Sequence, residues 1–175
     1  RPSDGLFPYT AGRFGSGANM AFRTSALIAI GGFDPALGSG TPARGGVDLA
    51  AFFDVISHGY RLVYEPRAIV YHKHRPDYPS LVHQAFGYGV GLSAFFTRIV
   101  VERPSLCLDL FTKVSRGLNY LLNPRSRKNQ HKQRDYPNEL TQLELKGFLR
   151  GPVSYWQSRS RAKKLNVYLP KARLV

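Results

Sequence analysis

Residues 45–53 read Gly-Gly-Val-Asp-Leu-Ala-Ala-Phe-Phe and place a single carboxylate at the beginning of an apolar helical run. Two successive glycines interrupt any preceding regular structure, and apolar side chains then recur at helical spacing from Leu49 to Ile56. Asp48 falls where an N-cap or first-turn residue belongs, so the pattern predicts a helix over residues 48–58. The carboxylate then has two interpretations: it caps the helix, or it acts on a bound molecule.

The length and composition predict a folded domain. The chain has 175 residues, of which 43% are hydrophobic and 13% aromatic, enough for a core. The single cysteine, Cys107, excludes an internal disulfide framework, and no signal peptide or run of about 18 apolar residues occurs. We therefore expect a cytoplasmic protein. Because the chain begins at Arg1 rather than Met, we also expect a fragment of a longer protein.

The charge is strongly basic and unevenly distributed. The chain carries 25 Lys and Arg against 11 Asp and Glu, a formal net charge of +14, and residues 1–75 hold only 8 of the basic side chains. Such an excess favours an anionic partner, which composition alone leaves open among nucleic acid, an anionic membrane surface and a phosphate-bearing substrate. Nucleic acid is disfavoured because no zinc spacing or RNA-binding signature occurs and the aromatic residues lie mostly in apolar runs.

The first 80 residues alternate between predicted strands and helices. Residues 19–23, 60–64 and 68–71 have the β-rich, alternating pattern of short strands. A short helix over residues 26–30, capped by Thr24 or Ser25, is predicted to stop at Gly31-Gly32. Together with the helix at 48–58, this order predicts an α/β domain.

The remainder of the chain divides into three predicted segments. Residues 81–124 have amphipathic helical patterns, residues 125–137 form a basic linker, and residues 138–175 form a C-terminal helix with a basic tail. The last helix is predicted over 138–149, ended by Gly151-Pro152. The apolar stripe between Leu106 and Leu122 fits either core packing or attachment to an anionic membrane surface.

The order of several motifs resembles the C-terminal, acceptor-side half of a family 2 glycosyltransferase catalytic domain. They are Gly-Ser-Gly-Ala-Asn-Met-Ala-Phe-Arg at 15–23, Gly-Gly-Phe-Asp at 31–34, the stretch at 45–53, and Gly-Tyr-Arg-Leu-Val-Tyr-Glu-Pro at 59–66 followed by His72. The resemblance covers roughly residues 10–100. It implies a partial GT-A-like, Rossmann-like α/β domain over residues 1–80, followed by amphipathic helices. The implied reaction transfers a sugar from a nucleotide-diphospho-sugar to an acceptor hydroxyl of a cell-envelope glycan or glycolipid.

The resemblance also implies roles for individual residues. Asp48 matches the acidic residue taken as the general base, although the acidic position before it is Val47 here. Gly17, Ala18 and Asn19 would line the sugar nucleotide and acceptor, or else form a glycine-permitted turn before a core strand. Arg44, in a glycine-rich loop over residues 38–46, would meet a phosphate or remain solvated.

A divalent cation, Mg or Mn, is implied as cofactor. His72 falls where related enzymes bring a late histidine to the metal or diphosphate, and His74 would share its face of a continuing strand. The Asp-x-Asp element that holds the metal in the family is absent from this sequence. The chain is therefore expected to be the acceptor half of a split or truncated enzyme, inactive when isolated. The alternative is a non-catalytic basic protein that binds a membrane surface or nucleic acid.

Overall fold

The computed structural model describes residues 5–73, 77–123, 125–126, 129–130 and 136–166. These residues form six α-helices: α1 (Thr24–Ala29), α2 (Val47–Ser57), α3 (Tyr78–Glu102), α4 (Cys107–Thr112), α5 (Val114–Leu122) and α6 (Asn138–Lys164). Short 3-10 turns lie at Ala11–Phe14, Pro35–Leu37 and Pro104–Leu106. Among the helices described, none has the length and apolarity that crossing a lipid bilayer requires.

The two longest helices, α3 and α6, lie side by side and run in the same direction. The Tyr78 hydroxyl donates to Glu139 Oε2 (3.1 Å) near their N-termini, and the Tyr155 hydroxyl donates to Glu102 Oε1 (3.3 Å) towards the other end. Between these points the helices touch backbone to backbone, because a Cβ at Gly89 would overlap the Glu144 carbonyl. This pair forms the scaffold on which the rest of the chain packs.

The core lies where α2, the N-terminal segment and the α3–α6 pair meet. Phe53 of α2 stacks on Tyr9 with a ring-centroid distance of 5.4 Å and meets Phe95 of α3 edge-on at 5.8 Å. Tyr155 of α6 is fully buried in the same cluster. Aromatic pairs of this geometry add to the free energy gained by burying their area. Of the apolar run predicted from Leu49 to Ile56, α2 buries Phe52 and Phe53, while Leu49 and Ile56 are half-buried.

The predicted α/β architecture is wrong for the part of the chain that the structure describes. No strand occurs there, and residues 19–23, 60–64 and 68–71 have no regular secondary structure. A strand is stable only when its N–H and C=O groups pair with a neighbouring strand, and α-helices occupy the interior here. The β-rich side chains consequently lie outside the core: Val63 is 79% exposed and Tyr71 is 98% exposed. A GT-A-like sheet is thus replaced by an all-α arrangement.

The short-range helix predictions are confirmed at their C-terminal ends. Helix α2 covers Val47–Ser57, within one residue of the prediction. Helix α1 ends where the two glycines adopt positive φ, and Gly32 N–H donates to the Leu27 carbonyl at 2.8 Å, closing the last turn. The predicted cap of α1 is wrong, because Arg23 precedes the helix and no side chain caps it.

The prediction that Gly151-Pro152 ends the last helix is wrong. Helix α6 continues to Lys164 through both residues. Gly151 lies against Ser93 of α3, and Ser158 Oγ accepts a hydrogen bond from Ala43 N–H at 2.8 Å. These contacts with α3 and with the loop before α2 stabilise helical geometry beyond the point where local sequence favours a stop. The predicted basic tail is therefore helical as far as Lys164, and Ser158 and Ala162 are buried in it.

Candidate functional site

The start of α2 is held against the middle of α3. Gly46 precedes the helix with φ 97°, and a Cβ on it would lie 2.7 Å from the Gly91 carbonyl oxygen. A side chain at position 46 is thus excluded both by φ and by contact with α3. Asp48 is the second residue of the helix, and no side chain caps its N-terminus. The interpretation of Asp48 as the N-cap is therefore wrong, whereas its first-turn position is confirmed.

The Asp48 carboxylate accepts two backbone hydrogen bonds. Oδ2 accepts from Gly17 N–H at 3.0 Å, and Oδ1 accepts from Leu49 N–H at 2.9 Å. A Cβ on Gly17 would lie 3.3 Å from both Cβ and Oδ2 of Asp48, so a larger residue would press on the carboxylate. An ionised carboxylate has about four lone-pair sites, so these two bonds orient the group and leave it able to accept a further donor.

The turn at residues 16–19 lies between Asp48 and a later segment. Ala18 N–H donates to Ser16 Oγ at 3.3 Å, and Asn19 Nδ2 donates to the Ala68 carbonyl at 2.6 Å. Gly17, Ala18 and Asn19 are all exposed, and Asp48 is half-buried. The structure thus places Gly17 in contact with the predicted base, and Ala18 and Asn19 follow it in the same turn. Their predicted interpretation as the approach to a core strand is wrong, since no strand follows.

Arg44 lies against α3. Its guanidinium donates to His83 Nε2 at 3.0 Å and lies 5.2 Å from the centre of the Phe86 ring. The backbone at Arg44 has φ 63°, unusual for a residue with a side chain. Contacts with a histidine and an aromatic face hold the side chain on the surface of α3. The predicted contact with a phosphate stays a prediction.

The histidines predicted to meet a metal do not form a described ligand cluster. His72 is exposed, and His74 lies outside the described residues. Throughout the described ranges, no group of three or more His, Cys, Asp or Glu side chains is arranged to hold a metal ion. The divalent cation, which the resemblance assigns mainly to an N-terminal half that this sequence lacks, stays a prediction.

A buried cluster of charges, missed by sequence reasoning, joins α2 to α3. Arg98 Nη2 lies 2.8 Å from Asp54 Oδ2, and Arg98 Nε lies 3.0 Å from Asp34 Oδ2. Arg103 Nη2 is 2.9 Å from Asp54 Oδ1. Burial opposes the charge on Arg98, but the carboxylates of Asp54, Glu102 and Asp34 together outweigh it and raise the pKa of Arg98. The cluster positions α2, and hence Asp48, relative to α3.

One local signal indicated this cluster. Asp54 stands inside the apolar run Phe52-Phe53-Asp54-Val55, and charged residues are seldom buried unless they are paired. Asp34 bonds local backbone with one oxygen, since its Oδ1 accepts from Ala36 N–H at 2.8 Å. Asp34 Oδ2 accepts a hydrogen bond from Arg98 Nε, which is 64 residues away in the sequence. No sequence pattern predicts that partner.

Comparisons of the chain with protein-family models, curated proteins and solved structures give no match. The resemblance to family 2 glycosyltransferases is therefore carried by the motifs quoted above.

Proposed function

We propose that this chain is the acceptor-side part of a glycosyltransferase that moves a sugar from a nucleotide-diphospho-sugar to a hydroxyl of a cell-envelope glycan or lipid-linked acceptor. The observation that carries the proposal is the 3.0 Å hydrogen bond from Gly17 N–H to Asp48 Oδ2. The two residues belong to separate motifs of the resemblance, 31 positions apart. Their contact is what a shared acceptor site requires.

In the proposed reaction Asp48 is the general base. Its carboxylate takes the proton of the acceptor hydroxyl while the hydroxyl oxygen bonds to the anomeric carbon of the donor. The bond from that carbon to the diphosphate oxygen breaks, and the nucleoside diphosphate leaves with the electron pair. The backbone bonds from Gly17 and Leu49 hold the carboxylate in one orientation. This role does not depend on a metal ion.

A purely structural role for Asp48 accounts less well for its contacts. A capping carboxylate precedes the helix and accepts from a backbone N–H two or three residues later. Asp77 does this at α3, where Oδ1 accepts from Ser80 N–H at 2.8 Å. Asp48 instead lies within the first turn of α2 and bonds a distant loop.

The proposal is tested by Asp48→Asn, with Asp77→Asn as the matched control. Both substitutions keep the side-chain size and an acceptor oxygen, but only the first removes the proposed proton acceptor. We expect the initial rate of sugar transfer, measured in the enzyme that contains this sequence, to fall on the order of 10²–10⁴-fold for Asp48→Asn. The rate should be unchanged for Asp77→Asn. Near-normal transfer by a folded Asp48→Asn enzyme would contradict the proposal.

We infer further that the enzyme works at the inner face of the cell membrane. The net charge of +14 and the exposed apolar side chains Leu108 and Phe111 of α4 support attachment to an anionic lipid surface. A lipid-linked acceptor would be found at that surface.

A further inference from the structure

Two exposed β-turns, whose last residues are 49 positions apart in the sequence, are joined by one side chain. Residues 16–19 form the first turn, closed by a 2.9 Å hydrogen bond from the N–H of its last residue, Asn19, to the carbonyl of its first. Residues 65–68 form the second turn, closed in the same way by the N–H of Ala68 at 3.1 Å. The Asn19 side chain links the two turns, because its Nδ2 donates to the Ala68 carbonyl at 2.6 Å.

The first turn lies against one face of α2. Gly17 N–H donates to Asp48 Oδ2 at 3.0 Å. On one side of the turn a Cβ at Gly15 would lie 3.4 Å from the Phe52 ring, and on the other side Phe22 stacks on the same ring with the centroids 6.2 Å apart. Asp48 and Phe52 are four residues apart and therefore share a face of α2. The position of this turn thus decides where Gly17 N–H lies relative to the carboxylate.

The second turn is an anchor that holds its own shape. Glu65 Oε1 accepts from Arg67 N–H at 3.1 Å and from Arg67 Nε at 2.8 Å, in addition to the backbone bond that closes the turn. The first turn contains Gly17 and follows Gly15, and glycine leaves the backbone many conformations. The exposed hydrogen bond from Gly17 N–H also competes with water. A second attachment, through Asn19, restricts this turn further.

We propose that Asn19 is a positioning residue for Asp48. Its bond to Ala68 holds the first turn in the place where Gly17 N–H meets the carboxylate. This assignment differs from the substrate-lining role that the resemblance implies for Asn19, since the side chain acts on the substrate only through the base. The effect on sugar transfer rests on the proposed function. The effect on the contact between Gly17 and Asp48 does not.

Amide hydrogen exchange of the whole chain, followed by NMR, tests the tether without measuring activity. Asn19→Ala removes the donor, so the Gly17 amide should exchange about 3–10-fold faster, which is the net effect of one hydrogen bond. Asn19→Asp keeps the size but presents an oxygen to the Ala68 carbonyl, and it should give the same change. The Ala50 amide, which bonds the Gly46 carbonyl in the first turn of α2, should exchange as in the unaltered chain. An unchanged Gly17 rate, or an equal acceleration at Ala50, would overturn the proposal.

Steady-state kinetics of the enzyme that contains this sequence separate positioning from substrate binding. A residue that orients the base should change kcat, whereas a residue that lines the acceptor site should change KM. We expect Asn19→Ala to lower kcat about 3–10-fold and to leave the acceptor KM nearly unchanged. Asn119→Ala is the matched control and should change neither, because Asn119 is an exposed asparagine of α5 whose Oδ1 accepts from Asn123 Nδ2 at 3.2 Å. An increase in KM at constant kcat for Asn19→Ala would overturn the proposal.

A double-mutant cycle tests whether Asn19 acts through Asp48. In the Asp48→Asn enzyme the base is absent, so adding Asn19→Ala should leave the residual rate unchanged. Equal losses in the presence and absence of Asp48 would assign Asn19 a separate contact and overturn the proposal. Near-normal transfer by Asp48→Asn alone would contradict the proposed function, and exchange of the Gly17 amide would then still decide whether Asn19 positions the carboxylate. An enzyme that depends on Asp48, but in which Asn19→Ala changes neither kcat nor Gly17 exchange, would overturn this inference alone.

Discussion

Arg98 is 6% exposed in its side chain and lies between the carboxylates of Asp34 and Asp54, which are 5% and 2% exposed. Bringing such charges out of water costs free energy that only their mutual contacts offset. Removing the cation would leave two buried carboxylates without their main partner. The cluster therefore makes α3 and α2 interdependent, with Arg103 as a second partner of Asp54.

The corresponding prediction is that Arg98→Met destabilises the fold by about 3–5 kcal/mol, because an uncompensated buried charge remains. Arg67→Met is the control, since Arg67 pairs with Glu65 on the surface, with side chains 88% and 49% exposed. Such exposed pairs contribute little to stability. Urea unfolding of both variants gives the free energies of unfolding. Similar values for the two variants would show that the buried cluster is not required.

At the scale of elements, the contact between α3 and α6 depends on glycine. A Cβ at Gly89 would overlap the Glu144 carbonyl and would lie 2.7 Å from Phe148 N, both in the α6 backbone. Gly87, two residues earlier in the same helix, faces Arg44, and a Cβ there would lie 3.9 Å from Arg44 Cβ, an ordinary contact. The two glycines thus share a helix and differ in what they face.

This difference gives opposite predictions for the same substitution. Gly89→Ala should destabilise the fold by about 1–3 kcal/mol, because the helices must separate. Gly87→Ala should stabilise it by about 0.5–1 kcal/mol, because alanine favours the helix over the unfolded chain. Thermal unfolding midpoints of the two variants decide the matter. A stabilising effect at both positions would contradict the close approach of α3 and α6.

At the scale of the whole molecule, the net positive charge and the exposed apolar side chains together predict binding to an anionic membrane surface. Leu108 and Phe111 of α4 are 75% and 76% exposed, and the chain has a net charge of +14. Of the basic linker predicted at 125–137, the side chains of Arg127, Lys128, Lys132 and Arg134 lie outside the described residues. Basic residues near an anionic bilayer contribute about 1 kcal/mol each, which salt screens.

We accordingly predict that the chain sediments with vesicles containing phosphatidylserine and is released as salt rises, whereas neutral vesicles bind it weakly. Phe111→Ser should reduce binding several-fold because an inserted aromatic ring is lost. Leu149→Ser is the control, because Leu149 is 81% exposed on a different helix, α6. Equal loss in both variants, or stronger binding to an oligonucleotide than to vesicles, would contradict a membrane surface as the partner.

The sequence by itself determined the features that depend on neighbouring residues. The run from Val47 to Ser57 forms a helix because its apolar spacing and the glycines on either side act over one or two turns. Short-range sequence patterns also predicted correctly that α1 ends at Gly31-Gly32 and that Asp48 lies in the first turn of α2. The proposed roles of Gly17, Ala18, Asn19, Arg44 and His72 and the division of the chain into four segments stay predictions.

Only the tertiary structure decided the features that need a partner far along the chain. Residues 60–64 and 68–71 have the composition of strands but meet no neighbouring strand among the described residues, so they form none. Helix α6 passes through Gly151 and Pro152 because α3 packs against it, and Arg98 becomes buried because Asp34 and Asp54 reach it. Intrinsic secondary-structure propensities range from a few tenths of a kcal/mol up to about 3 kcal/mol per residue. The free energy contributed by tertiary packing and buried charge pairs outweighs these propensities here.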